Sequence, residues 1–175
     1  PPWEFARVAV RHGTVASVSD PHEIANVLGA AGVRYMLDDA HGSPFTHWFG
    51  CPSCVPATAF ETAGAALDAD ACAQLLDDPR IRYLSEMMNW PGVLSGDAQV
   101  MSKIAAARSR GKHVDGHAPG LRGADARAYF AAGIETDHEC FTLDEARDKA
   151  ALGVRILIRE GSAARNFEAL WPMLM

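Results

Sequence analysis

The chain alternates strand-like and helix-like stretches almost without interruption, and that alternation restricts it to folds built on a parallel sheet. Short β-branched or aromatic runs occur at Thr14–Ser19, Phe45–Phe49, Arg80–Glu86, Lys112–Asp115, Ile134–Asp137 and Val154–Ile158. A helical pattern follows each one. These patterns span Glu23–Asp39, Asp70–Asp77, Ala98–Arg110, Gly123–Ala132, the stretch opened by the capping box Thr142-Leu-Asp-Glu145, and Phe167–Leu174. One more amphipathic helix, Pro2–Arg11, precedes the first strand, with Phe5, Val8 and Ala9 at helical spacing. In Glu23–Asp39 the apolar side reads as Ile24, Val27, Leu28, Ala31, Tyr35 and Met36. Two Pro/Gly-rich loops, Gly50–Leu67 and Met87–Gly96, break the rhythm, and long loops in compact domains are commonly functional.

Two parallel architectures fit six strand–helix units: a closed barrel and an open doubly wound sheet. The second normally announces itself by a glycine-rich phosphate turn after its first strand. Neither G-x-G-x-x-G at that place nor G-x-x-x-x-G-K-[ST] anywhere occurs. A full eight-unit barrel takes about 250 residues. The 175 residues therefore read as one domain, 1–175, an incomplete (β/α)8 TIM barrel covering about strands two to seven. The strand aromatics Trp48 and Phe49 are expected in its core.

Three consecutive strand runs end in a potential metal ligand: Ile81–Glu86, His113–His117 and Ile134–His138. In a barrel these ends face the side where chemistry is done. Glu86, His117 and His138 are thus candidates for one shared metal centre, since imidazole and carboxylate suit divalent first-row metals. Strand alternation puts Asp115 on the same side as His117.

The net charge of −6 disfavours a nucleic-acid partner, whose backbone calls for a basic face. No run of about 18 apolar residues suggests a membrane span, and Pro-Pro-Trp-Glu-Phe does not read as a signal peptide. Cys51 and Cys54 form a C-x-x-C with no second pair, so the four cysteines are expected as reduced thiols of a cytoplasmic protein.

Six stretches carry a family resemblance. They are Ser19-Asp-Pro-His-Glu-Ile-Ala-Asn-Val27, Pro52-Ser-Cys-Val-Pro-Ala-Thr58, Glu86-Met-Met-Asn89 with Pro91-Gly-Val93, Asp115-Gly-His-Ala-Pro-Gly-Leu121, Asp137-His-Glu-Cys140 and Ile158-Arg-Glu-Gly-Ser-Ala-Ala164. Together they resemble the bacterial adenine deaminases of the amidohydrolase superfamily along almost the whole chain. The resemblance implies a (β/α)8 barrel with two divalent metal ions, manganese or iron, with zinc as a further option. It implies that Glu86 bridges the metals and that His117 and His138 bind them. The family's remaining ligands, an H-x-H pair after strand one and an aspartate after strand eight, have no counterpart here. About half of the site is therefore expected from this chain, which alone should show little or no activity.

The implied reaction is hydrolysis of adenine to hypoxanthine and ammonia. It needs activated water and a group that moves protons, and Glu139 is the candidate for the second role. His22, Asp115, Arg159, Glu160 and Ser162 are candidates for substrate contact or ligand support, whereas Ser53 and Cys54 are expected to pack. His12, His41, His47 and His113 are expected as structural or surface residues. The expected partner is a small-molecule purine, with neither nucleic acid nor membrane. A homo-oligomer is also expected, because an incomplete barrel leaves strand edges unpaired. Two other readings stay open: hydrolysis of another purine or a cyclic amide, and a non-catalytic incomplete barrel that binds metal or a partner.

Overall fold

The computed structural model describes residues 1–175. Its six strands are β1 (Ala16–Ser19), β2 (Thr46–Pro52), β3 (Ile81–Met87), β4 (His113–Gly116), β5 (Thr136–Asp137) and β6 (Arg155–Ile156). Every pairing between them is parallel. The helices are α1 (Pro2–Ala9), α2 (His22–Ala40), α3 (Ala69–Leu76), α4 (Trp90–Ser95), α5 (Ala98–Ser109), α6 (Gly123–Ala131), α7 (Leu143–Ala150) and α8 (Phe167–Leu170). The strand order β1-β2-β3-β4, continued by the pair β5-β6, follows the chain, as in an incomplete (β/α) barrel. No helix is long and apolar enough to cross a membrane.

Side-chain caps start several helices. Asp68, Asp97 and Thr142 accept the backbone N–H of Ala71, Val100 and Glu145 at 2.8, 3.0 and 3.3 Å. The Pro/Gly-rich stretch after β3, expected as loop, contains α4. Asn89 caps this helix and Pro91 sits in its first turn, where no amide partner is needed.

The main core joins Phe49, Ile81, Leu84 and Val114 of the sheet to Val33, Leu75, Ile104 and Ala107 of the helices. In α2 the buried line is Ala25, Gly29, Gly32, Val33 and Leu37, while Val27, Leu28 and Tyr35 are at least half exposed. The face read from the sequence is displaced because the helix breaks at Gly29 (φ 61°, ψ −144°), which resets its phase. The loop after β2 docks there, its Gly64 and Ala65 N–H groups both donating to Asn26 O.

The opposite face of the sheet is concave and open. Val18, Trp48, Tyr83, Asp115 and Leu157 line a cavity of about 640 Å³ on it. Trp48 is 45% exposed, contrary to the core position expected for it. Alternation along β2 turns Phe49 toward the helices and Trp48 away from them.

Between β4 and β5 the ladder narrows to a seam. The Glu135 N–H donates to Val114 O at 3.0 Å, and the Gly116 N–H to Thr136 Oγ1 at 3.3 Å. The strands approach so closely that a Cβ on Gly116 would lie 2.2 Å from Thr136 O. Only glycine fits there.

Candidate metal centre

Glu86 sits near the carboxyl end of β3 in a strained conformation, φ 30°, unusual for a residue with a side chain. Such strain costs about 1–3 kcal/mol and persists only where the surroundings impose it. Here the β3–β4 register shifts between Leu84 and Met87, a bulge that re-aims the side chain. The Ser53 hydroxyl, from the loop after β2, donates to Glu86 O at 2.7 Å and fixes the turned peptide. Ser53, expected merely to pack, therefore has a defined task.

The next two strands supply the imidazoles. His117 follows β4 directly, and its N–H donates to the Tyr129 hydroxyl at 3.0 Å. That hydroxyl donates in turn to Met87 O at 2.6 Å, tying the ends of β3 and β4 to α6. His138 follows β5. Its Nε2 lies 3.4 Å from Glu86 Oε1, and His117 Nδ1 lies 3.4 Å from Glu86 Oε2. One donor atom from each of the three residues falls within 4.8 Å of the others. The two rings meet edge to face, centroids 5.4 Å apart.

These groups also perturb each other. The His117 and His138 imidazoles hold the Glu86 carboxyl below its usual range, against the effect of burial. Burial pulls the His138 imidazole down, but the carboxylates of Asp115 and Glu86 outweigh it and raise its pKa to about 10. Asp115 Oδ2 stands 3.4 Å from His138 Nδ1, on the ring edge opposite Glu86. A carboxylate behind a histidine fixes which nitrogen faces the site and makes it a better ligand.

A divalent ion fits this donor set. Ligand atoms around a tetrahedral ion with bonds of about 2.1 Å stand about 3.4 Å apart, which matches both Glu86–His separations. His117 Nδ1 is buried without a hydrogen-bond partner, as a nitrogen reserved for a cation would be.

The other sequence candidates divide in two. Glu139 Oε1 is 3.8 Å from His117 Nδ1 and 3.9 Å from His138 Nε2, and Arg159 Nη1 holds it at 2.7 Å. Asp115 and Arg159 thus join the cluster, one through His138 and the other through Glu139. His22 flanks it from the end of β1. Its Nδ1 is 3.0 Å from Asp20 Oδ2, and one atom each of Asp20, His22 and Glu86 fall within 4.8 Å. The Asp20 carboxylate beside it outweighs burial and lifts the His22 pKa to about 9. Burial raises the Asp20 carboxyl despite that neighbour. Glu160 and Ser162 are exposed beyond the short β6, and Glu160 pairs its backbone with Arg165 rather than joining the cluster.

Asp20 had no place among the sequence candidates, because an acid before proline reads as a helix start. Its signal was its position two residues before His22 at a strand end. The thiols play no part in the cluster: Cys51 Sγ turns toward Cys72, whose carbonyl lies 3.7 Å away. All four cysteines are free.

The amidohydrolase family model matches residues 2–163. The adenine deaminase of Salinibacter ruber is 62% identical over 99% of this chain and 32% of its own length. Those of a Sulfurovum species and of Methanosarcina mazei are each 60% identical over 99% of the chain, and 33% and 31% of their own lengths are covered. The chain spans about a third of the length of the curated relatives it matches.

Proposed function

The chain belongs to the amidohydrolase family, and from that premise we propose that the protein carrying it hydrolyses adenine to hypoxanthine and ammonia. The observation that carries this reading is the convergence of Glu86, His117 and His138 in a chain so close in sequence to proteins named adenine deaminase. In the overall reaction water replaces the exocyclic amine of adenine, and the amine leaves as ammonia.

Glu86, His117 and His138 would hold divalent metal, with manganese or iron as the family's choice and zinc equally compatible with the donors. What a divalent ion supplies in such a site is acidification of water, from a pKa of 15.7 to about 7. Glu86, with two oxygens directed at two histidines, is suited to bridge a pair of ions. Asp115 orients His138. Glu139, within 4 Å of both imidazoles, carries the proton from the attacking water to the departing nitrogen, and Arg159 keeps its carboxylate aimed at the site. Asp20 and His22 stand beside the cluster and contact the purine.

The test is ammonia release from adenine by the full-length protein supplied with manganese. Turnover is expected, and it should vanish on chelation and in Glu86→Gln. Release of ammonia from another purine or a cyclic amide, with adenine untouched, would overturn the substrate assignment.

A further inference from the structure

A second group of charged side chains lies buried between the loops that bear the two histidines. Lys149 and Asp137 are fully buried and Glu145 is 3% exposed. Lys149 Nζ donates to Asp137 Oδ2 and Glu145 Oε1 at 2.7 Å each, and to Ala118 O at 2.6 Å. The carboxylates carry the contacts onward. Glu145 Oε1 accepts the Gly120 N–H at 2.8 Å and Oε2 the Phe141 N–H at 3.2 Å, while Asp137 Oδ1 accepts the Glu139 N–H at 2.8 Å.

Every backbone group in this network belongs to one of two loops. Ala118 and Gly120 follow His117, while Glu139 and Phe141 follow His138. We propose that Lys149, Asp137 and Glu145 are positioning residues that set the spacing of His117 and His138, and through it the affinity of the site for a divalent ion. The inference rests on the metal reading above.

Stability does not explain the network. A buried charge triad is commonly no more stabilising than apolar side chains of similar size, so its presence calls for another account. Nor is this a cation site of its own. Asp137, Cys140 and Glu145 bring potential ligand atoms within 4.8 Å, but the Lys149 ammonium supplies the positive charge among them.

Lys112 offers a built-in comparison. It also ties carbonyls together, those of Leu76, Asp78 and Ile81, but at the opposite end of the strands and without a carboxylate partner. It touches neither histidine loop.

The test measures cobalt binding to the full-length protein by absorption spectroscopy and calorimetry. Lys149→Met alone strands two buried carboxylates and so risks unfolding. The decisive variant combines Lys149→Met, Asp137→Asn and Glu145→Gln, which leaves no buried charge unpaired. It should retain a native circular dichroism spectrum while cobalt affinity falls about 10- to 100-fold, the usual effect of removing support behind metal ligands. The Gly120, Glu139 and Phe141 amides should exchange faster, and Lys112→Met should bind cobalt as the wild type does. A folded triple variant with wild-type cobalt affinity, in a protein whose Glu86→Gln form loses binding, would overturn this proposal alone. A wild-type protein that takes up no cobalt would overturn the metal reading and this proposal together.

Discussion

Replacing Tyr129 by phenylalanine isolates one atom that holds the candidate site together. The ring is completely buried in α6, so its shape survives the change and no cavity larger than an oxygen is created. Two backbone groups lose their partner: the carbonyl of Met87, next to Glu86, and the amide of His117. Burial raises the phenol pKa, so the hydroxyl is a neutral donor at every pH where the protein is handled. Leaving a buried polar group unsatisfied costs about 1–3 kcal/mol, and partial relaxation at two such groups brings the expected loss to about 2–4 kcal/mol. For a domain of this size each kcal/mol corresponds to about 2–4 °C in Tm. Urea unfolding of both proteins gives the difference directly, with an unchanged m value expected because the compactness of both states is preserved. Amide exchange at His117 should accelerate at the same time. A loss below about 0.5 kcal/mol, the range of an inconsequential surface change, would refute the account of Tyr129 as the tie between β3 and β4.

Two further outcomes follow from the same geometry. Gly116→Ala would press a methyl group against the Thr136 carbonyl and force β4 and β5 apart. A stability loss of about 1–3 kcal/mol, typical of overpacking, is expected in urea unfolding, and a neutral result would show that the seam is not tightly closed. His22 should titrate near pH 9 by nuclear magnetic resonance and return toward its ordinary value in Asp20→Asn. Because its pKa is raised on folding, its contribution to stability is complete below about pH 6.5 and is lost as pH climbs from there through about 9. An unchanged His22 titration in Asp20→Asn would remove Asp20 as the cause.

The strand–helix rhythm and the three clustered candidates are legible for one reason: a barrel places chemistry at fixed points of its sequence period. Glu86 stands near the end of a recognisable strand and His117 and His138 each follow one, so topology alone carries them to one mouth. Residues that act through distant partners left no such mark. Lys149 lies in a highly charged helix, Leu-Asp-Glu-Ala-Arg-Asp-Lys-Ala, where a lysine reads as solvated surface. Its burial is decided by Asp137 and Ala118, neither of which is close in sequence. Periodicity misplaces the buried face of α2 because it assumes an unbroken helix and Gly29 breaks this one. Residue type alone points Trp48 to the core, whereas its exposure depends on how far the sheet closes on its concave side.

The seam between β4 and β5 also divides the candidate cluster. Glu86 and His117 ride on the four-stranded sheet, and His138 on the two-stranded one, so neither sheet by itself contains it. Val114 and Glu135, which join the two sheets, stand closer along the chain than the residues paired between β1 and β2, β2 and β3, or β3 and β4, so closing the seam orders a shorter loop than any of those three pairings. A chain in which that seam opens keeps both sheets and loses the meeting of Glu86 and His117 with His138.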